Sequence, residues 1–398
     1  MSRHPQLYQW AEQVATAFPH LSRPQATVLA WWSFGMALAH RASLSAVALQ
    51  LAALVGQAFA TVKQRLREWY CEASAKAGDQ RVALDVSTCF APLLHWVLRD
   101  WPGTQLAVAL DPTSQGQRFV VLSLSILYRG SACPVAWKVV PATARQSWKR
   151  HWLALLRDFR GAVPEGWTVL VLADRGLYAR WLFRAICRLG WHPLLRVTGR
   201  CTFRPEGGRR TRMTDLVRQP GTTWAGRGRA FKDRAKRLRC TLLARWEEGY
   251  EAPWLLLTDL PPEAAEACWY GLRAWIEHGF KQLKSDGWHW ERTHMTDPTR
   301  AERLWLALAV GTWWCLVVGG EADAAVRVET VPPVPAASAA ASAAAPARPV
   351  SVFLRGLALI VAGLLAGRVP WGTPHPEPWP TVLPVPVSHE LAPPGTKT

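Results

Sequence analysis

Between residues 105 and 197 the chain returns again and again to one kind of segment, a short β-branched and apolar run that only a buried sheet satisfies. Residues 105–110, 118–128 and 133–140 are three such runs, with Tyr128-Arg129-Gly130-Ser131 as a turn between the last two. Residues 147–159 switch to helical periodicity, 168–173 form another buried strand, 178–189 a helix and 193–197 a further strand. Three strands, a helix, a strand, a helix and a strand describe an α/β core in which helices cross over a sheet. At 398 residues the chain has room for two or three domains around it.

What surrounds this block differs in kind. Residues 1–100 are alanine-rich and read as helical. Within them 44–55, Gly56 and 57–70 have the form of a helix-turn-helix, whose second helix would present Lys63, Arg65 and Arg67 to phosphates or bases. An ordinary helical hairpin fits the same pattern. Residues 199–245 hold fourteen Arg and Lys against three acids, a net +11 out of +18 for the whole chain. Codon bias explains arginine over lysine but not such clustering, and a surplus of this size points to a polyanionic partner, nucleic acid before anionic membrane. The segment lacks a long helical period and reads as a β-rich insertion. Residues 254–260 return to a strand, Pro261-Pro262 can start a helix, and Asp297-Pro298 starts another that runs to about 318.

Eight cysteines contain no C-x-x-C pair, so neither a zinc finger nor a disulfide framework is expected. Residues 42–62 and 352–369 are apolar, but the first is interrupted by glutamines and the second by arginines. Both fall short of about 20 clean apolar residues, so buried helices are expected and no membrane partner.

Asp111 and Asp174 each end an apolar run, where a side chain can emerge at the edge of a sheet. Further on, Tyr270, Arg273, Glu277 and Lys284 follow the spacing Tyr-x2-Arg-x3-Glu-x6-Lys. On one α-helix they would fall within an arc of roughly 60°. Three carboxylates suit a site that holds two divalent cations against a phosphodiester, while the arginine can grip a phosphate bidentately, the lysine adds a point charge and the tyrosine one hydrogen bond. Taken singly, each aspartate also suits a turn, and Arg273 with Glu277 a plain i,i+4 pair.

The Tyr-Arg-Glu-Lys spacing resembles, without gap or substitution, the signature of the IS4 family of DDE transposases. Leu110-Asp111-Pro112-Thr113 and Ala173-Asp174-Arg175-Gly176 look like that family's first and second acid motifs, and Glu277 matches its third acid. The resemblance spans about 105–318. It implies an RNase H-like catalytic core with a β-rich insertion, preceded by an α-helical N-terminal domain. Asp111, Asp174 and Glu277 would bind two Mg²⁺ ions, with Mn²⁺ as a substitute, and Tyr270, Arg273 and Lys284 would contact phosphates at the cut end. The partners implied are double-stranded DNA, as terminal inverted repeats and target, and a second copy of the chain. Some family members stack a flipped base on a tryptophan; Trp224, Trp246 and Trp254 lie in or beside the insertion, and none stands out.

The expected organisation is a helical DNA-binding domain over 1–100 and the first part of the core over 101–198. The basic insertion covers 199–253, and the second part of the core, with the signature helix, covers 254–319. A flexible Ala/Pro linker over 320–350, a C-terminal helix over 351–369 and a disordered tail over 370–398 complete it. The activity implied is cut-and-paste DNA transposition by a cytoplasmic, nucleoid-associated prokaryotic protein. Against it stand a transposase-derived DNA-binding protein without catalysis, an RNase H-like nuclease that never joins strands and, more distantly, a membrane-surface protein.

Overall fold

The computed structural model describes residues 4–76, 82–144, 147–330 and 348–381. β1 (Gln105–Gln115), β2 (Phe119–Tyr128) and β3 (Ser131–Pro141) form an antiparallel meander. Its second turn has φ of 46° at Arg129 and 80° at Gly130, two left-handed residues in a two-residue hairpin, whose twist matches that of the strands. α6 (Lys149–Arg157) crosses to β4 (Thr168–Ala173), which lies parallel to β1, and α7 (Arg180–Cys187) crosses to β5 (His192–Arg196), parallel to β4. These elements are the ones the apolar runs predict, and they suit an RNase H-like core. Their Val- and Leu-rich strands are buried because helices cover both faces.

The insertion does not stand apart. β6 (Thr202–Pro205), β7 (Thr211–Arg212), β8 (Thr222–Ala230) and β9 (Leu238–Trp246) continue the main sheet through β10 (Trp254–Thr258), which pairs with both β9 and β5. The result is one sheet in the order β3-β2-β1-β4-β5-β10-β9-β8-β6-β7.

Two boundaries differ from expectation. β1 does not stop before Asp111-Pro112 but runs on to Gln115. Its parallel partner β4 ends opposite Leu110, so beyond that point β1 bonds only to β2, and Pro112, which lacks an N–H, meets an open edge. The single helix expected to start at Pro261-Pro262 is broken. Pro262–Ala264 is a separate 3-10 turn, and Ala265 and Glu266 are extended. A 3-10 helix over Ala267–Ala274 then leads into α8 (Trp275–Leu283).

The N-terminal helices are α1 (Pro5–Ala17), α2 (Arg23–Ala39), α3 (Leu44–Val55), α4 (Phe59–Tyr70) and α5 (Phe90–Leu98). Gly56, at φ 63°, caps α3 and turns the chain toward α4. They pack around α9 (Pro298–Thr330), apolar all round and long enough to cross a membrane, yet 94% of its most apolar window is buried inside the protein. Tryptophans fill the junction: Trp10 stacks on Trp314 at 3.9 Å, and Trp137 packs on Trp305. α10 (Val352–Leu365) closes on α9 so tightly that a Cβ on Gly319 would lie 2.0 Å from the Val352 carbonyl oxygen. Gly319→Val is therefore expected to lower stability by about 3 kcal/mol, the upper end of overpacking costs, read as a shifted denaturant midpoint.

The linker expected over 320–350 is not a linker at its start, since 320–330 continue α9 as helix; 331–347 lie outside the described residues, as does the tail beyond 381. The part of the tail at 370–381 is not disordered: Trp371 stacks on Trp96 at 5.5 Å, Trp379 packs on Trp269, and the His375 N–H donates to the Tyr128 hydroxyl. Its prolines suit an extended strap, while the two aromatic side chains supply the buried surface that holds it.

Candidate functional site

The 3-10 segment and α8 together still bring the four signature residues to one side of the sheet. In a 3-10 helix residues three apart eclipse, which sets Arg273 over Tyr270. In the α-helix that follows, residues four apart align, which sets Glu277 beside Arg273. Lys284, just past the end of α8, leaves helical geometry and reaches β1, where its Nζ donates to Thr113 Oγ1 at 2.8 Å and to the Ser114 carbonyl at 2.7 Å.

Asp111 lies beneath this element. Arg273 Nη2 donates to Asp111 Oδ2 at 2.9 Å, and Arg273 Nη1 donates to Glu277 Oε1 at 2.6 Å. The i,i+4 pair between Arg273 and Glu277 is thus present, but the same guanidinium also bridges to a buried carboxylate 162 positions earlier in the chain. Burial pushes the Asp111 carboxyl up to about 6. The Arg273 charge opposes that rise, and the negative charges of Asp174 and Glu277 add to it. Asp174, one residue past β4, accepts at Oδ1 from the backbone N–H groups of Gly176 (2.8 Å) and Leu177 (3.2 Å). It therefore does form the turn its sequence context suggests, with the same carboxylate beside Asp111.

Tyr270 is buried, with its ring edge against Trp254 at 5.3 Å, and burial pushes its phenol up to about 12 against the pull of Arg273 and Arg196. The Arg196 guanidinium lies 5.9 Å from the centre of that ring. Lys284 is half-buried, and desolvation lowers its ammonium pKa. Arg196 and Thr113 were not singled out in the sequence. The available signal was that Arg196 interrupts the apolar run 193–197 next to its end, near the carboxyl end of a parallel strand where α/β sheets place their ligands.

Among the described residues no three carboxylate, imidazole or thiol groups stand close enough to cage a metal ion in their present rotamers. Arg273 is the reason at Asp111 and Glu277, because its cation already lies between them. The donor set nevertheless suits a hard divalent cation: all three groups are carboxylates, and the burial that lifts Asp111, together with the charges of Asp174 and Glu277 that add to it, is what added positive charge would offset.

Lys63, Arg65 and Arg67 lie elsewhere, on α4, which packs on α9. Arg65 covers the Trp31 ring at 4.9 Å, Lys63 sits over Phe59, and Arg67 lines a cavity of about 260 Å³ with Tyr70, Asp297 and Arg300. Of the three tryptophans near the insertion, Trp254 is buried under Tyr270, Trp224 packs edge-on against Phe203, and Trp246 donates to the Tyr250 carbonyl at 2.8 Å.

Residues 100–314 match the family of the transposase DDE domain. No curated protein matches the chain. Among solved structures it is similar to a piggyBac transposase in a synaptic complex with hairpin DNA. That chain is 11% identical, the similarity covers 77% of this chain and 72% of that one, and the TM-score is 0.36.

Proposed function

This chain belongs to the transposase DDE-domain family, and from that premise we propose that it cuts DNA at the ends of a mobile element and joins the freed ends to target DNA. The observation that carries the proposal is the Asp111–Arg273–Glu277 bridge, buried at Asp111 and open to solvent at Glu277, formed beside Asp174, with Lys284 anchored on the same strand as Asp111. In this reading Asp111, Asp174 and Glu277 hold divalent cations, Mg²⁺ foremost. Those ions, when bound, would stabilise the entering and leaving oxygens of phosphoryl transfer. Arg273 and Lys284 hold phosphates of the cut end, and Tyr270, packed between the edge-on Trp254 ring and Arg196, fixes the height of Arg273 above Asp111.

The Tyr-Arg-Glu-Lys spacing supports a place in the IS4 branch. Cut-and-paste chemistry, a homodimer with one active site for each end, and a cytoplasmic location beside the nucleoid belong to the same proposal. α4, with Lys63, Arg65 and Arg67, is proposed as a DNA contact in the helical N-terminal region.

The test is strand cleavage and joining on linear DNA that carries the ends of the element flanking the gene, with Mg²⁺ or with EDTA. Metal-dependent cleavage followed by joining is expected, and Asp174→Ala should lose both. Cleavage without joining would reduce the proposal to a nuclease. Tight binding without cleavage would remove the catalytic assignment.

A further inference from the structure

The register of the sheet brings a second set of charges onto the face that carries the carboxylates. Leu110 pairs with Ala173 and Ala173 with Leu195, so the residues that follow, Asp111, Asp174 and Arg196, project to one side. Arg196 pairs with Leu256, Leu256 with Leu243, and Leu243 with Ala225. Two and four residues beyond Ala225 on β8, still on that face, stand Arg227 and Arg229. Arg229 lies directly opposite Arg239 on β9 and directly opposite Arg204 on β6.

Three arginines therefore stand side by side across three strands, with Arg227 next to them, and all four are exposed. The opposite face of the same strands is packed by Phe203, Ala230 and Cys240. Like charges directly opposite one another weaken a sheet. Among the described residues only Glu206, 3.3 Å from Arg239, pairs with them, and Arg227 and Arg229 form no ion pair there. The three ladder arginines, Glu206 and Gly228 line a groove of about 310 Å³. On the packed face behind it the strands meet at close range, since a Cβ on Gly228 would lie 2.3 Å from the Arg204 carbonyl oxygen and 2.7 Å from the Phe203 ring.

We propose that the Arg204–Arg229–Arg239 ladder is a binding site for the phosphodiester backbone of duplex DNA, engaging the substrate at a distance from the reacting phosphate. This rests on the transposase reading. Counted in strand spacings and residues, the ladder lies on the order of 20–30 Å from Asp174, which is about 6–9 base pairs of duplex. Three guanidiniums in a row match a run of phosphates in charge and in bidentate geometry.

The experiment compares the wild-type chain, the triple variant R204Q/R229Q/R239Q and a control triple, R99Q/R160Q/R188Q, that removes the same charge from exposed sites elsewhere. Each is titrated with a duplex of about 30 base pairs carrying the element's end, at salt from about 50 to 200 mM. Relief of like-charge repulsion should leave the ladder variant at least as resistant to heat as the wild type, which excludes unfolding as the cause of any loss. The slope of log affinity against log salt should fall by about 2 to 3 in the ladder variant, near 0.9 per lost phosphate contact, and by less than about 1 in the control. With duplexes that end within about 6 base pairs of the cut, ladder variant and wild type should bind alike. Equal slopes in the two triple variants would overturn the ladder alone. Absence of DNA binding by the wild type would overturn it together with the transposase reading. Loss of RNA or anionic-vesicle binding with DNA binding intact would assign the ladder to a different partner.

Discussion

Asp111→Asn is expected to abolish strand cleavage and joining, by at least about 10³-fold, while raising the stability of the folded protein at pH 7 by on the order of 2 kcal/mol. The two effects share a cause. The Asp111 carboxyl is buried, faces Asp174 and Glu277, and has only Arg273 to neutralise it, so its folded-state value climbs to about 6. The ordinary carboxylate value is about 3.9. Because the folded value is the higher one, the protonated form favours folding. Stability is greatest below pH about 4 and declines as the pH rises through about 6. An amide of the same shape carries no charge to desolvate and leaves Arg273 bound to Glu277. Denaturant unfolding at pH 5 and pH 7.5 reads the effect, with a gap between variant and wild type that widens at the higher pH. A less stable variant at pH 7.5 would show that the Arg273 ion pair outweighs the burial cost.

The second large effect is structural. Asp323→Asn should destabilise the protein by about 3 kcal/mol, since removing one partner from a buried ion pair leaves Arg129 with the more distant carboxylate of Glu377, 3.8 Å away, as its counter-charge. Asp323 Oδ2 accepts from Arg129 Nη2 at 2.6 Å, from Arg129 Nε at 3.2 Å and from Arg348 Nε at 3.1 Å. Arg348 also pairs with Glu377, and Arg129 Nη1 donates to the His375 carbonyl at 2.7 Å. One cluster thus joins the β2–β3 turn, α9 and the C-terminal strap, and it accounts for the unusual left-handed arginine in that turn. Burial alone would raise the Asp323 carboxyl, but the hydrogen bonds from Arg129 and the charge of Arg348 outweigh it and hold it low. The contribution is therefore fully present above the ordinary aspartate range, about 3.9, and is lost as the pH falls through the lower folded value. Acid unfolding of the wild type and the variant should converge at the low-pH end.

The residues of the core announced their places because burial of β1 to β5 needs uninterrupted apolar runs, and each run could be read by itself. Asp174 was legible for the same reason, as the first polar residue after such a run. The extension of β1 through Asp111-Pro112 was not, because it depends on where β4 stops, a fact about a partner strand. The break before α8 was hidden because 3-10 and α periods differ too little over eight residues to separate in a pattern of apolar positions. The spacing of Tyr270, Arg273 and Glu277 survived that break, since eclipsing at three residues and alignment at four both keep them on one side, and Lys284 joins them from just past the end of α8. The joining of the insertion to the core runs through the pairing of β10 with β5, a non-local contact that no local pattern in the arginine-rich segment reveals. Trp371 and Trp379 were overlooked because the prolines around them read as disorder, although two large aromatic side chains suffice to dock a strap.

The central claim is that Asp111, Asp174 and Glu277 form one metal site from which Arg273 withdraws to a phosphate. The measurement that tests it most directly is a structure of the protein with Mn²⁺ and cut-end DNA, with anomalous scattering to locate the ion. The account predicts Mn²⁺ density in contact with the carboxylates of Asp111, Asp174 and Glu277, with the Arg273 guanidinium moved onto the DNA backbone. Arg273 still bridging Asp111 and Glu277, with DNA bound and no ion at the three carboxylates, would contradict it.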